Sequence, residues 1–215
     1  FKTGKVRAIA NLKRDSASNI CYENYNYAIG NLPSGEASDP GSTFKVASLV
    51  VAMEDGYITP ETMVYVGNGS ATYYNKTITD SHAPDSSWIS VARIIETSSN
   101  VGTARFVYDN YKSQQQKFVD GLKRLHLHEL LGLELVGEAK PVIHEPAEGS
   151  KFWSGISLPQ LAYGYELSIA PIQILAFYNA IANDGKLVRP MFVEALSYRG
   201  EIVETFEPVA MDKQI

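Results

Sequence analysis

Directly after Asp39-Pro40-Gly41 the apolar residues fall into a three- and four-residue rhythm. Val46, Leu49, Val50 and Met53 carry it, with Phe44, Ala47 and Val51 beside them, until Gly56 stops the run. That period matches one face of an α-helix and excludes a strand, whose side chains alternate every second residue. The spacing predicts a buried helix of about four turns. Pro40 and Gly41 turn the chain into it, so Ser42 sits at or near the first helical turn. Any fold for this chain must cover that helix with other elements.

Elsewhere the patterns are shorter. Lys5 to Asn11 and Tyr22 to Ile29 read as strands, the first apolar-rich and the second dense in aromatics, joined by the polar stretch Lys13 to Asn19. Asn31 to Gly41 reads as a surface loop. Residues 57–87 carry Gly, Asn, Ser and Tyr without a clear period and read as loop with short strands. Two short helices are expected over 88–96 and 100–109, broken around Thr97 to Ser99. Phe118, Leu122 and Leu125 mark an amphipathic helix; another runs from Pro171 through Ile174, Leu175, Tyr178 and Ile181 to Gly185. A strand over Phe192 to Leu196, the turn-like Arg199-Gly200 and Ile202-Val203 predict a β-hairpin. With no repeat or low-complexity tract in this order, one domain over residues 1–215 is expected.

Charge narrows the function. A net charge of −5 leaves no basic footprint for nucleic acid. Cys21, the single cysteine, has no partner for a disulfide or a metal site. No apolar run approaches the roughly 18–20 residues of a membrane span. The chain opens at Phe1 without an initiator Met or a signal peptide, and we read it as a processed or excised piece.

Ser42-Thr43-Phe44-Lys45 sets a hydroxyl and an amine three residues apart at a helix start, on one face and within hydrogen-bond reach. A serine hydroxyl is a weak nucleophile, and a lysine desolvated among apolar neighbours loses its proton readily enough to act as its base. The same four letters also describe a capping serine followed by a solvated lysine. Ser98-Ser99-Asn100 falls in the expected helix break, where a second hydroxyl can relay a proton to a leaving amine and the Asn amide can grip a substrate carbonyl. An ordinary helix cap is the alternative there. His126 and His128, two residues apart on an expected helix, diverge and have no acidic residue placed to help, so they read as surface histidines rather than metal ligands. Trp88 and Trp153 read as packing anchors or cleft wall.

With their flanks, these motifs resemble one family. Asp39-Pro40-Gly41-Ser42-Thr43-Phe44-Lys45 and its apolar helix resemble the active-site serine region of the class B penicillin-binding proteins, and Glu96-Thr97-Ser98-Ser99-Asn100-Val101-Gly102 resembles their second motif. Also similar are Tyr163-Gly164-Tyr165-Glu166-Leu167-Ser168 running into Pro171-Ile172-Gln173, the helix ending Asn183-Asp184-Gly185-Lys186, the opening Lys5 to Asn11, and Tyr25-Asn26-Tyr27-Ala28. The phrasing of Phe177 to Asn183 is most like the division transpeptidases of the Bacteroides group. The resemblance implies that Ser42 is acylated by a peptidoglycan stem peptide ending in D-Ala-D-Ala and that Lys45 takes its proton. It implies that Ser98 with Lys45 passes a proton to the departing D-alanine, while Asn100 holds the substrate backbone. β-Lactams would imitate the acylation and stall before a second amine attacks. No cofactor and no metal is implied. Implied partners are cell-division or elongation membrane proteins, with the active domain extracytoplasmic and held to the cell membrane by an anchor ahead of Phe1.

The family's third motif, Lys-Thr/Ser-Gly on a strand beside the serine, is expected beyond Ile215. Lys2-Thr3-Gly4 has the letters but precedes the first strand. In the family the absent strand gives one oxyanion-hole donor, and losing such a donor costs on the order of 100- to 1,000-fold in turnover, so this piece alone is expected to be nearly inert. The expected fold is α+β, of the penicillin-binding protein transpeptidase and serine β-lactamase-like kind, but incomplete: helices on an antiparallel sheet, with C-terminal strands and helix missing. It should expose an apolar sheet edge and helix faces. The rival readings are a serine β-lactamase, which must hold a hydrolytic water, and a non-catalytic β-lactam-sensing or division scaffold domain. The sequons at Asn68-Gly69-Ser70 and Asn75-Lys76-Thr77 matter only in a eukaryotic secretory path, against which the resemblance speaks.

Overall fold

A computed structural model describes residues 2–23, 27–30 and 38–215, and the chain divides into two compact units. One combines Phe1–Ser38, Leu125–Pro141 and Ile169–Ile215; the other combines Asp39–Arg124 and Val142–Ser168. Among the described residues, each strand pairs antiparallel with one partner, so helices supply most of the packing surface.

The second unit is organised around the helix Asn100–Tyr111. Val101, Ala104, Val107 and Tyr111 recur along it at helical spacing and are fully buried. The helices Lys45–Glu54, Val91–Glu96, Gln115–Arg124 and Ser157–Ala162 pack on it. Phe44 and Phe118 lose all their exposed surface here, and each such burial contributes about 1.5–3 kcal/mol. Helix Val91–Glu96 approaches so closely that a Cβ on Gly102 would lie 2.5 Å from Ile94 Cγ1. Asp55 accepts a hydrogen bond from Tyr111 Oη at 2.8 Å and pairs with Arg124 at 2.9 Å and Lys117 at 3.7 Å. Those partners offset the several kcal/mol that burying a carboxylate costs.

The serine helix differs from its expectation in one respect. Gly41–Phe44 forms a 3-10 turn and the α-helix runs Lys45–Glu54, ended by Gly56 at φ +74° with the Tyr57 N–H donating to Ala52 O at 3.0 Å. Its buried face is Phe44, Ala47, Ser48, Val51 and Ala52, whereas Val46, Leu49 and Val50 are half-buried and Met53 is exposed. Two adjacent stripes satisfy the same period. The small residues of the buried one permit close approach, and Ser48 Oγ donates to Ala162 O at 2.7 Å. The helix expected over 88–96 begins as a strand: Trp88–Ser90 pairs with Met63–Tyr65, and Ser90 Oγ caps Val91–Glu96. Trp88 lies exposed beside Tyr65, ring centroids 5.3 Å apart, while Trp153 Nε1 donates to Gln115 Oε1 at 2.6 Å. Within residues 57–87, Ser70–Tyr73 and Lys76–Thr79 form a hairpin.

In the first unit Ile29, Leu131, Ala139, Ala170, Ile172, Ala176, Ala180 and Leu187 form the core, with Phe192, Met211 and Ile215 against it. Helix Pro171–Ile181 buries Ile172, Ile174, Ala176, Phe177 and Ala180, while Leu175 and Ile181 of the expected stripe are exposed. Gln173 Oε1 accepts from the Ala170 N–H at 3.0 Å and fixes the helix start. Lys186–Val188 pairs with Ala210–Gln214, and the hairpin Ala195–Tyr198 with Glu201–Thr205 turns at Arg199-Gly200 as expected. The strand expected over Lys5 to Asn11 reduces to a bridge between Lys5 and Met191, and Leu12–Arg14 pairs with Cys21–Glu23 instead. Asp15 closes that turn by accepting from the Ala17 and Ser18 N–H groups, which a continuous strand could not use. Residues 24–26 of the expected Tyr22–Ile29 strand, and residues 31–37 of the expected loop, lie outside the described residues; Tyr27–Ile29 is a 3-10 turn. Leu196, Tyr198, Ile202 and Val203 stand exposed on the hairpin. Among the described residues no helix is long and apolar enough to cross a membrane.

Candidate active site

Ser42 and Lys45 enter the structure on one turn of chain that two contacts hold. The Gly41 N–H donates to Gly164 O at 3.0 Å, and Thr43 Oγ1 donates to Pro40 O at 2.7 Å. Gly164 sits at φ +94°, and a Cβ there would lie 2.1 Å from Gly41 O, so only glycine fits. Ser42 is exposed, whereas Lys45 keeps only 2% of its surface.

Lys45 Nζ donates to the Ser98 carbonyl and, at 3.0 Å, to Ser98 Oγ. Burial brings the Lys45 pKa down to about 8, against an opposing pull from the Asp80 carboxylate. At pH 7 such an amine is neutral in roughly a tenth of molecules, against about one in 3,000 for an ordinary lysine. Among the described residues no hydrogen bond joins Ser42 Oγ to Lys45 Nζ; the amine is bonded to Ser98.

Ser98 is held at φ +54°, a left-handed conformation that costs a non-glycine residue about 1 kcal/mol or more. The Ser98 and Ser99 N–H groups close the preceding helix on Ile95 O and Ile94 O at 3.1 and 2.9 Å. Ser99 Oγ opens the next by accepting from the Gly102 N–H at 2.8 Å. The motif divides its contacts: Ser99 caps the helix, while Ser98 meets the lysine. Asn100 Nδ2 donates to Thr79 O at 3.0 Å, which leaves its second N–H and its oxygen for other partners. Asn100 also lines a recess of about 230 Å³ with Thr77, Thr79, Gln160, Tyr163 and Tyr165.

Asp80 escaped sequence reasoning. Its Oδ2 accepts from Ser99 Oγ at 2.7 Å and its Oδ1 from the Val101 N–H at 2.9 Å. The sole local hint is an acid that ends the β-branched run Thr77-Ile78-Thr79. Two premises of the histidine reading, the helix and the lack of a nearby acid, are corrected. His126, at φ +57°, lies outside any helix, and His126 Nδ1 and His128 Nε2 both face Glu129 Oε1, at 3.0 and 3.6 Å. Hydrogen bonds from Lys213 and then His126 hold the Glu129 pKa down to about 2. Lys2-Thr3-Gly4 belongs to the first unit, where Gly4 O accepts from the Met191 N–H at 2.9 Å.

Comparison with known proteins identifies the family and the fold. The family described as penicillin binding protein transpeptidase domain matches residues 1–215. Penicillin-binding protein PbpB of Mycobacterium tuberculosis is 28% identical over 194 residues, which are 90% of this chain and 27% of that protein. Peptidoglycan D,D-transpeptidase FtsI of Escherichia coli K12 is 26% identical over 200 residues, 89% of this chain and 30% of that protein. The chain thus spans roughly three tenths of the length of these curated relatives. The apo transpeptidase domain of penicillin-binding protein 3 from Burkholderia pseudomallei superposes with a TM-score of 0.69 at 22% identity, over 97% of this chain and 54% of that one, a likeness of fold. The expected α+β fold class is therefore the observed one. With the match running the whole length and the fold agreeing, the chain belongs to the penicillin-binding protein transpeptidase domain family.

Proposed function

We propose that residues 1–215 are part of one transpeptidase domain of a peptidoglycan D,D-transpeptidase, with Ser42 as nucleophile, Lys45 as base, Ser98 as proton relay and Asn100 as substrate grip. The observation that carries this reading is a lysine buried to 2% and bonded to Ser98, one turn after an exposed serine. Ser42 Oγ attacks the penultimate D-Ala carbonyl of a stem peptide as its proton passes to the neutral Lys45 amine. The proton then travels through Ser98 Oγ to the departing amine as the C–N bond breaks. A second substrate amine attacks the acyl-enzyme, its proton passes by way of Lys45 to Ser42 Oγ as the ester C–O bond breaks, and the new amide leaves Ser42 restored. A β-lactam would acylate the same hydroxyl. The reading extends, by resemblance, to an extracytoplasmic site anchored at the cell membrane and to division or elongation proteins as partners.

The test uses the native gene product and a fluorescent penicillin. Mass mapping should find the adduct on Ser42; Ser42→Ala should abolish it, and Lys45→Met should slow it by about 100-fold or more. An adduct elsewhere, or none, overturns the assignment. Joining of a stem peptide to an acceptor amine separates an enzyme from a sensor, and sustained hydrolysis of a chromogenic cephalosporin would favour a β-lactamase.

A further inference from the structure

We propose that Asp80 is a positioning residue for acylation at Ser42, fastening with both carboxylate oxygens the Ser98–Val101 turn on which the Lys45 amine finds its acceptors. The inference rests on the function proposed above.

Three observations carry it. Each Asp80 oxygen holds a different part of the turn, Oδ2 the Ser99 hydroxyl and Oδ1 the Val101 N–H. Between those anchors and the preceding helix, Ser98 keeps its left-handed backbone, which a free serine seldom adopts, and both acceptors of the lysine amine are on Ser98. Among the described residues, the Asp80 carboxylate also opposes the burial-driven fall of the Lys45 pKa. A single carboxylate therefore fixes where the amine's acceptors stand and how firmly the amine keeps its proton.

The two effects pull against each other. Burial favours a neutral amine that can take the Ser42 proton, and Asp80 retains enough basicity for the amine to hold it before relay. The charged and titratable groups around Asp80 are Lys45 from the serine helix, His82 and Asp85 from the following loop, and Arg93 and Glu96 from the next helix. Arg93 is bonded to Asp85 at 2.6 Å and to Glu96 at 3.2 Å, so its charge is already matched.

Asp80→Asn separates charge from clamp, because an amide retains an oxygen for the Val101 N–H and can donate to Ser99 Oγ. Ser99→Ala does the reverse, removing one anchor and the cap while leaving the charge. Both are followed in the native gene product by the pH dependence of penicillin acylation and by the ¹³Cε chemical-shift titration of Lys45. For Asp80→Asn the acid limb of the rate profile and the Lys45 titration should both move to lower pH. For Ser99→Ala the rate should fall about tenfold with the limb unmoved. Profiles and titrations that superimpose on wild type for Asp80→Asn overturn the proposal, as does a Ser99→Ala rate equal to wild type. If wild type is not acylated at Ser42, the functional reading fails, and the Lys45 titration still judges Asp80 by itself.

Discussion

Replacing Lys45 by Met should change stability in a pH-dependent way that isolates the cost of the buried amine. In the fold the Lys45 pKa is about 8 against 10.5 for the model group, and each unit corresponds to about 1.4 kcal/mol. Because the folded value is depressed, the unfolded chain binds the extra proton between pH 8 and 10.5, so stability rises with pH across that window. The penalty on the wild-type fold is about 3 kcal/mol at pH 7 and about 1 kcal/mol at pH 10. Met has nearly the same length and no charge, so it carries no such penalty and gives up the bonds to Ser98. Urea denaturation of both proteins at pH 7 and pH 10 cancels every other titrating group in the difference. The wild type should gain about 2 kcal/mol on the variant between the two pH values. A difference that stays constant would show that the amine titrates as an ordinary lysine, and the base assignment would lose its physical ground.

On the proposed role of Lys45 as base, the same pKa governs the rate: penicillin acylation should rise about tenfold per pH unit below pH 8 and level off above it, read by stopped-flow fluorescence; a profile flat from pH 6 to 8 would contradict it. Gly164→Ala places a Cβ 2.1 Å from Gly41 O at φ +94°, and should lower stability by about 2–4 kcal/mol and acylation of Ser42 by tenfold or more; a thermal melt and a labelling rate like wild type would refute the contact. Asp55→Ala leaves Tyr111 Oη and Arg124 without their carboxylate, and should cost about 3 kcal/mol in denaturation while the acylated fraction of folded protein stays the same.

Local signals read well where a few neighbouring residues decide the outcome. The helix after Gly41, the break at Thr97 to Ser99, the Pro171 start and the Arg199-Gly200 hairpin all follow from period, cap and turn chemistry that act over three or four residues. Ser42, Lys45, Ser98 and Asn100, the residues of the proposed site, stood out for the same reason, as two short motifs with their flanks. What failed depended on distant partners. Trp88–Ser90 became strand because Met63–Tyr65 offered a ladder. The serine helix turned Ala47, Ser48 and Val51 inward because the elements covering that face came from residues 100–124 and from Ala162.

The sequence by itself determined the helix, the hydroxyl–amine spacing and the serine pair in the helix break at Thr97 to Ser99, because those are set within one or two turns of chain. Tertiary structure alone decided that Lys45 would be buried and its pKa drawn down, that Ser98 rather than Ser42 would accept its hydrogen bonds, and that Asp80 would hold the second motif. Desolvation and charge pairing are properties of what surrounds a group in space, and no residue adjacent to Lys45 in the chain specifies them.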